Sequence, residues 1–243
     1  MGIRRYRNIS VFIILEVKML LRNKKSINNL GQIIILYIFS LLIFILKAKT
    51  SFRESIFYFI ILSLMSGAFI VGHGVYLLTW ESTYFNSLIT KTVSLKQFFR
   101  SKFWLFSFSA LFFTIFNILL LIVSDNSSFI FLYLSFLFFN VGIISPVVIL
   151  VSLFNNERAA LDKGIFFNYE GYGAWQYLML FLELSIPGIL YFIFSYLVST
   201  MGAIIIIGLL GIIGIILTNF LNSLIIKLFN KRKYLIIDGF NKK

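Results

Sequence analysis

The sequence predicts an all-α, polytopic membrane protein, and three observations carry that prediction. Hydrophobic residues fill 60% of the 243 positions, aromatic residues fill 19%, and the mean hydropathy is +0.96. A water-soluble domain of this length keeps roughly half of its residues polar or charged, so this chain is too apolar to be one. Apolar runs of around 20 residues recur, the length of a membrane-crossing helix; the strands of a membrane barrel would alternate over segments of about ten. The third observation is charge. All but three of the 22 Lys and Arg residues fall in four segments separated from one another by pairs of spans. The positive-inside rule places those segments, and both termini, in the cytoplasm. The net charge of +13 therefore reports orientation before it reports any nucleic-acid binding. Heavy use of Phe, Ile, Leu, Asn and Lys fits an AT-rich bacterial genome, so the expected location is a bacterial cytoplasmic (inner) membrane.

The elements follow in order. Residues 1–27 carry Arg4, Arg5, Arg7, Lys18, Arg22, Lys24 and Lys25, and Glu16 and Lys18 break the short apolar run from Val11 to Leu15. That run is too short for a span and has no cleavage site, so residues 9–24 read as an amphipathic helix on the cytoplasmic face. Six spans are expected within 28–228: about Leu30–Leu46, Ile56–Leu78, Phe103–Val123, Phe129–Leu153, and two in the apolar stretch Tyr177–Leu228. That last stretch has about 50 residues where two spans need about 40, so a dip back into the membrane is expected near Tyr196–Gly202. Residues 229–243 read as a basic cytoplasmic tail. The whole, 1–243, is one transmembrane domain.

The polar island from Trp80 to Lys102 lies between spans two and three. Phe85, Leu88 and Ile89 stand at i, i+3, i+4, an apolar stripe on a short helix. Ser94 and Gln97 have the spacing of a capping box, with Val93 and Phe98 in the positions of a hydrophobic staple. Two readings compete: an interfacial helix-turn that returns the chain to lipid, and a docking element for a soluble partner. A second island, Asn155–Gln176, contains Glu157, Arg158 and Asp162, and its Gly171-Tyr172-Gly173 breaks any helix.

Several chemistries are missing. No Gly-x-x-x-x-Gly-Lys-Ser/Thr cradle for nucleotide phosphates occurs. A single histidine, His73, rules out a His-Glu-x-x-His zinc site, and the absence of cysteine removes thiolate chemistry. No Gly-x-Ser-x-Gly elbow is present. An enzyme is therefore not expected, nor a cofactor or metal held by this chain. Within the spans only Glu183 carries a formal charge. Pro187, four residues on, removes the amide that would bond the Glu183 carbonyl, so a kink is expected there. His73 and Glu183 each lie about seven residues from the cytoplasmic end of a span, roughly 10 Å deep. Both facing one cavity is one reading; a packed histidine and a snorkelling or protonated glutamate is the other. Gly208, Gly211 and Gly214 give the last span either a smooth packing face or simple flexibility.

A basic interfacial helix, six spans and an island after span two that runs Glu81, Leu88, Thr90, Ser94, Lys102 resemble the permease subunit of a type II ABC exporter. Asn155-Asn156-Glu157-Arg158 and Phe166-Phe167-Asn168-Tyr169 also resemble a variant of that family found in Bacteroidota. The resemblance covers the whole chain by layout, and its motif is degenerate. It implies that the island is a coupling helix seated on a separate ABC ATPase subunit, with Trp80, Glu81, Tyr84, Phe85, Leu88, Ile89, Ser94 and Gln97 as coupling residues. It implies ATP and Mg on that partner, a second permease copy or homologue completing the pathway, and re-entrant helices between spans five and six. On this reading His73, Glu183 and Pro187 are candidates for the substrate cavity, and the aromatic spans suit a hydrophobic or amphiphilic cargo. Glu81→Lys or Leu88→Asp is then expected to leave insertion intact while uncoupling transport. The alternatives are a proton-coupled secondary transporter built on Glu183 and a substrate-binding membrane component of an energised transporter.

Overall fold

The computed structural model describes residues 2–47, 56–74, 76–83, 85–90, 94–120, 128–159 and 174–241. Their order is α1 (Gly2–Arg22), α2 (Lys24–Lys47), α3 (Ile56–Gly74), a 3-10 turn (Thr79–Glu81) and α4 (Phe85–Thr90). These are followed by α5 (Leu95–Leu120), α6 (Ser128–Phe139), a π turn (Asn140–Ile144) and α7 (Ser145–Ser152). The chain ends in α8 (Ala174–Leu197), α9 (Thr200–Ile216) and α10 (Thr218–Asn241). The described residues contain no strand. Five helical segments are long and apolar enough to cross a membrane: Lys24–Ile43, Ile61–Glu81, Leu95–Ile118, Ile130–Ser152 and Tyr177–Leu197. A sixth exists if α9 and α10, bent by 62° at Leu217, count as one span.

Span four runs unbroken through α6, the π turn and α7, and Pro146 accounts for the wider turn. A proline has no amide to give and its ring crowds the carbonyl four residues earlier, here Gly142. Spacing the backbone as a π turn relieves that clash within a continuous helix. The Ser145 hydroxyl donates to the Asn140 carbonyl at 3.0 Å, so one loosened acceptor is satisfied locally.

At Gly142, α9 approaches to backbone distance. A Cβ on Gly211 would lie 2.3 Å from the Phe138 carbonyl carbon, and one on Gly142 would lie 1.9 Å from the Gly211 oxygen. The glycine stripe on α9 is thus a close-packing face against α6 and the π turn. Such close van der Waals contact is the attraction that holds helices together where their surroundings are as apolar as they are.

In the C-terminal third, α8 continues to Leu197, and Ser199 caps α9 by accepting from the Gly202 amide at 3.0 Å. The apolar stretch then runs on into α10, and the basic residues 229–241 are helical, because α10 runs to Asn241. Phe229, Ile236 and Phe240, at i, i+7, i+11, form one buried helical face. Lys231 and Tyr234 lie exposed between them. A basic, mixed composition hid an amphipathic helix. Helix α8 runs as one helix through the buried Pro187.

Gly211→Ala is predicted to force α9 off α6 and to destabilise the protein by about 1–3 kcal/mol, the usual cost of overpacking. The thermal midpoint of detergent-purified protein reads this directly.

Candidate functional site at the base of the bundle

One end of the bundle, called the base here, gathers α1, the segments around Glu81 and Asn155, and α10. Its centre is an ion cluster. The Lys102 ammonium, on the second turn of α5, pairs with Glu81 of the 3-10 turn at 2.6 Å and with Glu16 of α1. All three are buried, with Lys102 only 1% exposed. The Phe98 ring lies 4.9 Å from the same ammonium, and the Phe12 ring packs edge-on against Phe98. One cation thus joins α1, the turn after α3 and the start of α5.

Trp80 closes the cluster from the side of α3. It is fully buried, and its indole N–H donates to the His73 carbonyl at 3.2 Å. The His73 imidazole is stacked between Trp80, at 5.5 Å, and Phe69, at 5.1 Å. Neither ring nitrogen has a hydrogen-bond partner among the described residues. His73 therefore serves as one more ring in an aromatic stack.

The second island is fastened to the first through Thr79. Asn155 donates to the Thr79 hydroxyl at 2.9 Å, and that hydroxyl reaches the Glu157 carbonyl at 3.3 Å. The Glu157 and Arg158 side chains are exposed. Helix α10 lies across the end of α7 and the start of α4. Arg232 donates to the Leu153 carbonyl at 3.1 Å and stacks over the Phe154 ring at 4.3 Å. Phe85, the first residue of α4, is held between Phe240 at 5.2 Å and Phe229 at 6.0 Å.

These contacts redistribute the expected coupling residues. Trp80, Glu81 and Phe85 face the chain's own interior and are 0%, 3% and 1% exposed. Ile89 is half-buried against the core, and Gln97 is half-buried. Thr83, Asn86 and Ser94 are exposed. Tyr84, Asp162 and the Leu88 side chain lie outside the described residues. Helix α5 begins where the capping box predicts, with the Ser94 carbonyl accepting from the Gln97 and Phe98 amides. Because Glu81 is buried on Lys102, Glu81→Lys would bury two facing ammonium groups; it tests stability, not coupling.

Glu183 is separate from His73. A Cβ on Gly67 would lie 2.5 Å from Glu183 Oε1 and 3.1 Å from Asn140 Nδ2, so the carboxyl and the amide meet over that glycine. Asn140 donates to the Ser66 hydroxyl at 2.7 Å and the Ser63 carbonyl at 3.2 Å. Glu183 Oε1, Asn140 Oδ1 and the Ser63 hydroxyl have no partner among the described residues. Gly67 and His73 are six residues apart on α3, roughly 9 Å along its axis. Of the two readings, the packing matches a packed histidine: His73 lies in an aromatic stack, and Glu183 lies apart in a buried polar cluster beside the π turn.

Sequence reasoning noted Glu16 and Lys102 without giving either a partner, and passed over Asn140. The signal was available for the first two. Each is a single charge within or bordering an apolar run, and such a residue is inserted only where a partner waits. Asn140 carries no charge and is inconspicuous without the π turn.

The family whose profile matches covers residues 2–243, nearly the whole chain, and is described as a family of unknown function. The chain belongs to the DUF5687 family. No curated protein and no solved structure matches it. The base of this DUF5687 protein must therefore be read from its own chemistry.

Two predictions follow from the ion cluster in this DUF5687 chain. Lys102→Met leaves two buried carboxylates facing each other and should cost about 3–5 kcal/mol. Adding Glu16→Gln and Glu81→Gln to the same chain should restore most of the thermal midpoint. The second concerns pH. In the docked helix the Glu16 carboxyl is pushed up to about 8, chiefly by burial; Lys102 pulls it down and Glu81 pushes it up. Freed from the bundle it would titrate near the ordinary 4.5. A freed α1 loses this proton first, so docking is fully stable below about 4.5 and weakens as pH rises to about 8. Amide protection in residues 11–22, measured relative to the intrinsic exchange rate at each pH, should therefore fall between pH 5 and 8.5, and Glu16→Gln should flatten that dependence.

Proposed function

We propose that this DUF5687 protein is the permease subunit of an ATP-driven exporter of the type II ABC class. On this reading it crosses a bacterial inner membrane six times with its base in the cytoplasm. It docks a separate ATPase subunit through α4 and forms the translocation pathway with a second copy or homologue. The observation that carries the reading is how α4 is mounted. Phe85 is gripped by Phe229 and Phe240, and the preceding turn is locked to Lys102 and Glu16. The side of the element away from those contacts exposes Thr83 and Asn86. A loop that only returned the chain to lipid would have no need of a desolvated ion cluster at its root.

The mechanism follows from that mounting. A displacement imposed on α4 cannot be absorbed locally, because its anchors belong to α1, α5 and α10. It passes to the spans those helices touch, and α3 is carried along through Trp80 and His73. The energy comes from the partner, since the sequence holds no phosphate cradle of its own. ATP-driven closure of two ATPase subunits would then pull the base and reopen the pathway on the far side. The sequence layout and the concentration of basic segments support the same orientation. A proton-coupled secondary transporter is favoured by one observation, a Glu183 Oε1 that has no partner among the described residues and lies beside Asn140.

The two readings part in one experiment. An ATPase subunit should co-purify with the intact protein from its native membrane in mild detergent. Thr83→Arg on the exposed side should release it with the thermal midpoint unchanged. Phe85→Ala should cost about 3–5 kcal/mol of stability, as for any buried Phe. An ATPase-free preparation that still transports overturns the exporter reading in favour of the Glu183 carrier.

A further inference from the structure

Two cavities lie side by side where α5, the π turn, α7 and the α9–α10 bend meet. The larger, about 330 Å³, is apolar, with Val147, Leu150, Ile213 and Leu224 in its walls. The smaller, about 190 Å³, holds Arg100, Thr218, Asn219 and Asn222. They share Pro146, Leu221 and Ile225 as walls. Side by side, they set a cavity whose mainly apolar wall, with Phe99 and Trp104, carries a few polar groups at one end next to a wholly apolar one, an arrangement suited to an amphiphile.

The polar end specifies the head of that amphiphile. Arg100 is half-buried and makes no ion pair among the described residues. A guanidinium held beside apolar walls calls for an anion, and its planar fork fits a phosphate in bidentate fashion. Asn222 is 8% exposed. Its Nδ2 reaches the Lys96 carbonyl at 3.5 Å, but its Oδ1 has no partner among the described residues. The ligand therefore needs a donor as well as an acid. Depth agrees: Arg100 sits in the second turn of α5, at the base, where headgroups lie if the bundle spans a bilayer. The apolar cavity then opens among the acyl chains.

We propose that this pair of cavities binds one anionic phospholipid with a hydroxylated headgroup. Its phosphate pairs with Arg100, a head hydroxyl donates to Asn222 Oδ1, and an acyl chain fills the cavity between α7 and the α9–α10 bend. Because the lipid bridges α5 to that bend, it braces the point where the C-terminal helices change direction. The site stands whether or not an ATPase docks on α4.

The test uses the full chain in mild detergent with added phosphatidylglycerol, phosphatidylcholine or diacylglycerol, retained lipid being counted by native mass spectrometry. Phosphatidylglycerol should be retained about tenfold over diacylglycerol, the scale of one charge-assisted contact. Arg100→Ala should bring that ratio near one, and Arg100→Lys should keep part of it. Asn222→Leu should remove the preference for phosphatidylglycerol over phosphatidylcholine alone. Ile213→Trp, which fills the apolar end, should lower retention of both phospholipids while the thermal midpoint holds. Equal retention of phosphatidylglycerol and diacylglycerol by the wild-type chain would overturn the proposal, as would an Arg100→Ala protein with the ratio unchanged.

Discussion

Two carboxylates share one ammonium at the base of this bundle, and the arrangement of the surrounding helices depends on that contact. Each of the three groups would pay a large desolvation penalty alone, and none has water to turn to. They are tolerable only together, so α1, the turn after α3 and the start of α5 must meet at one point. One carboxylate is in excess, and burial resolves the excess by favouring the protonated form of Glu16. The rings of Phe98 and Trp80 then keep the cluster dry, which strengthens the remaining attraction. A surface ion pair could not hold three elements in this way, because screening would leave it nearly worthless.

The middle of the bundle is governed by a different constraint, backbone against backbone. Pro146 widens the helix into a π turn, Gly142 and Gly211 remove the side chains that would separate the helices, and α9 settles into contact. The same π turn carries Asn140, whose amide holds Ser63 and Ser66 of α3 and faces Glu183 across Gly67. A device that solves a packing problem thus also brings the one carboxyl within span five beside an amide and two hydroxyl-bearing residues. Inside a membrane such a group is retained against a cost, and its position beside a non-standard turn marks the place where the spans are least uniform.

On the proposed reading these two centres have complementary tasks. The base is stiff because ions and aromatic rings leave it no alternative packing, and stiffness is what a lever needs. The interior beside Glu183 keeps unsatisfied polar atoms, and a pathway for cargo or ions needs groups that are not already spoken for. The lipid site lies between them, against Pro146 on one side and the α9–α10 bend on the other. It couples the shape of the C-terminal helices to the surrounding bilayer independently of the docking face.

Hydropathy alone determined the helical class, the positions of α2, α3, α5, α6–α7 and α8, and the amphipathic nature of α1, because only helices of that length satisfy their backbone in lipid. Helical spacing also identified the short helix after Trp80 and left the α9 glycines between a packing face and simple flexibility, which the contacts decided. Burial of that short helix was decided elsewhere. Phe85 reads as a docking residue until Phe229 and Phe240, more than 140 positions away, are found covering it. Periodicity shows that a face is apolar, but lipid, a partner and the chain's own α10 all satisfy an apolar face equally well. The same holds for charge: Glu16, Glu81 and Lys102 are legible one by one as misplaced ions. Only the packing of three distant segments makes them a single neutralising group, since Coulomb attraction in a dry interior depends on distances that no local pattern encodes.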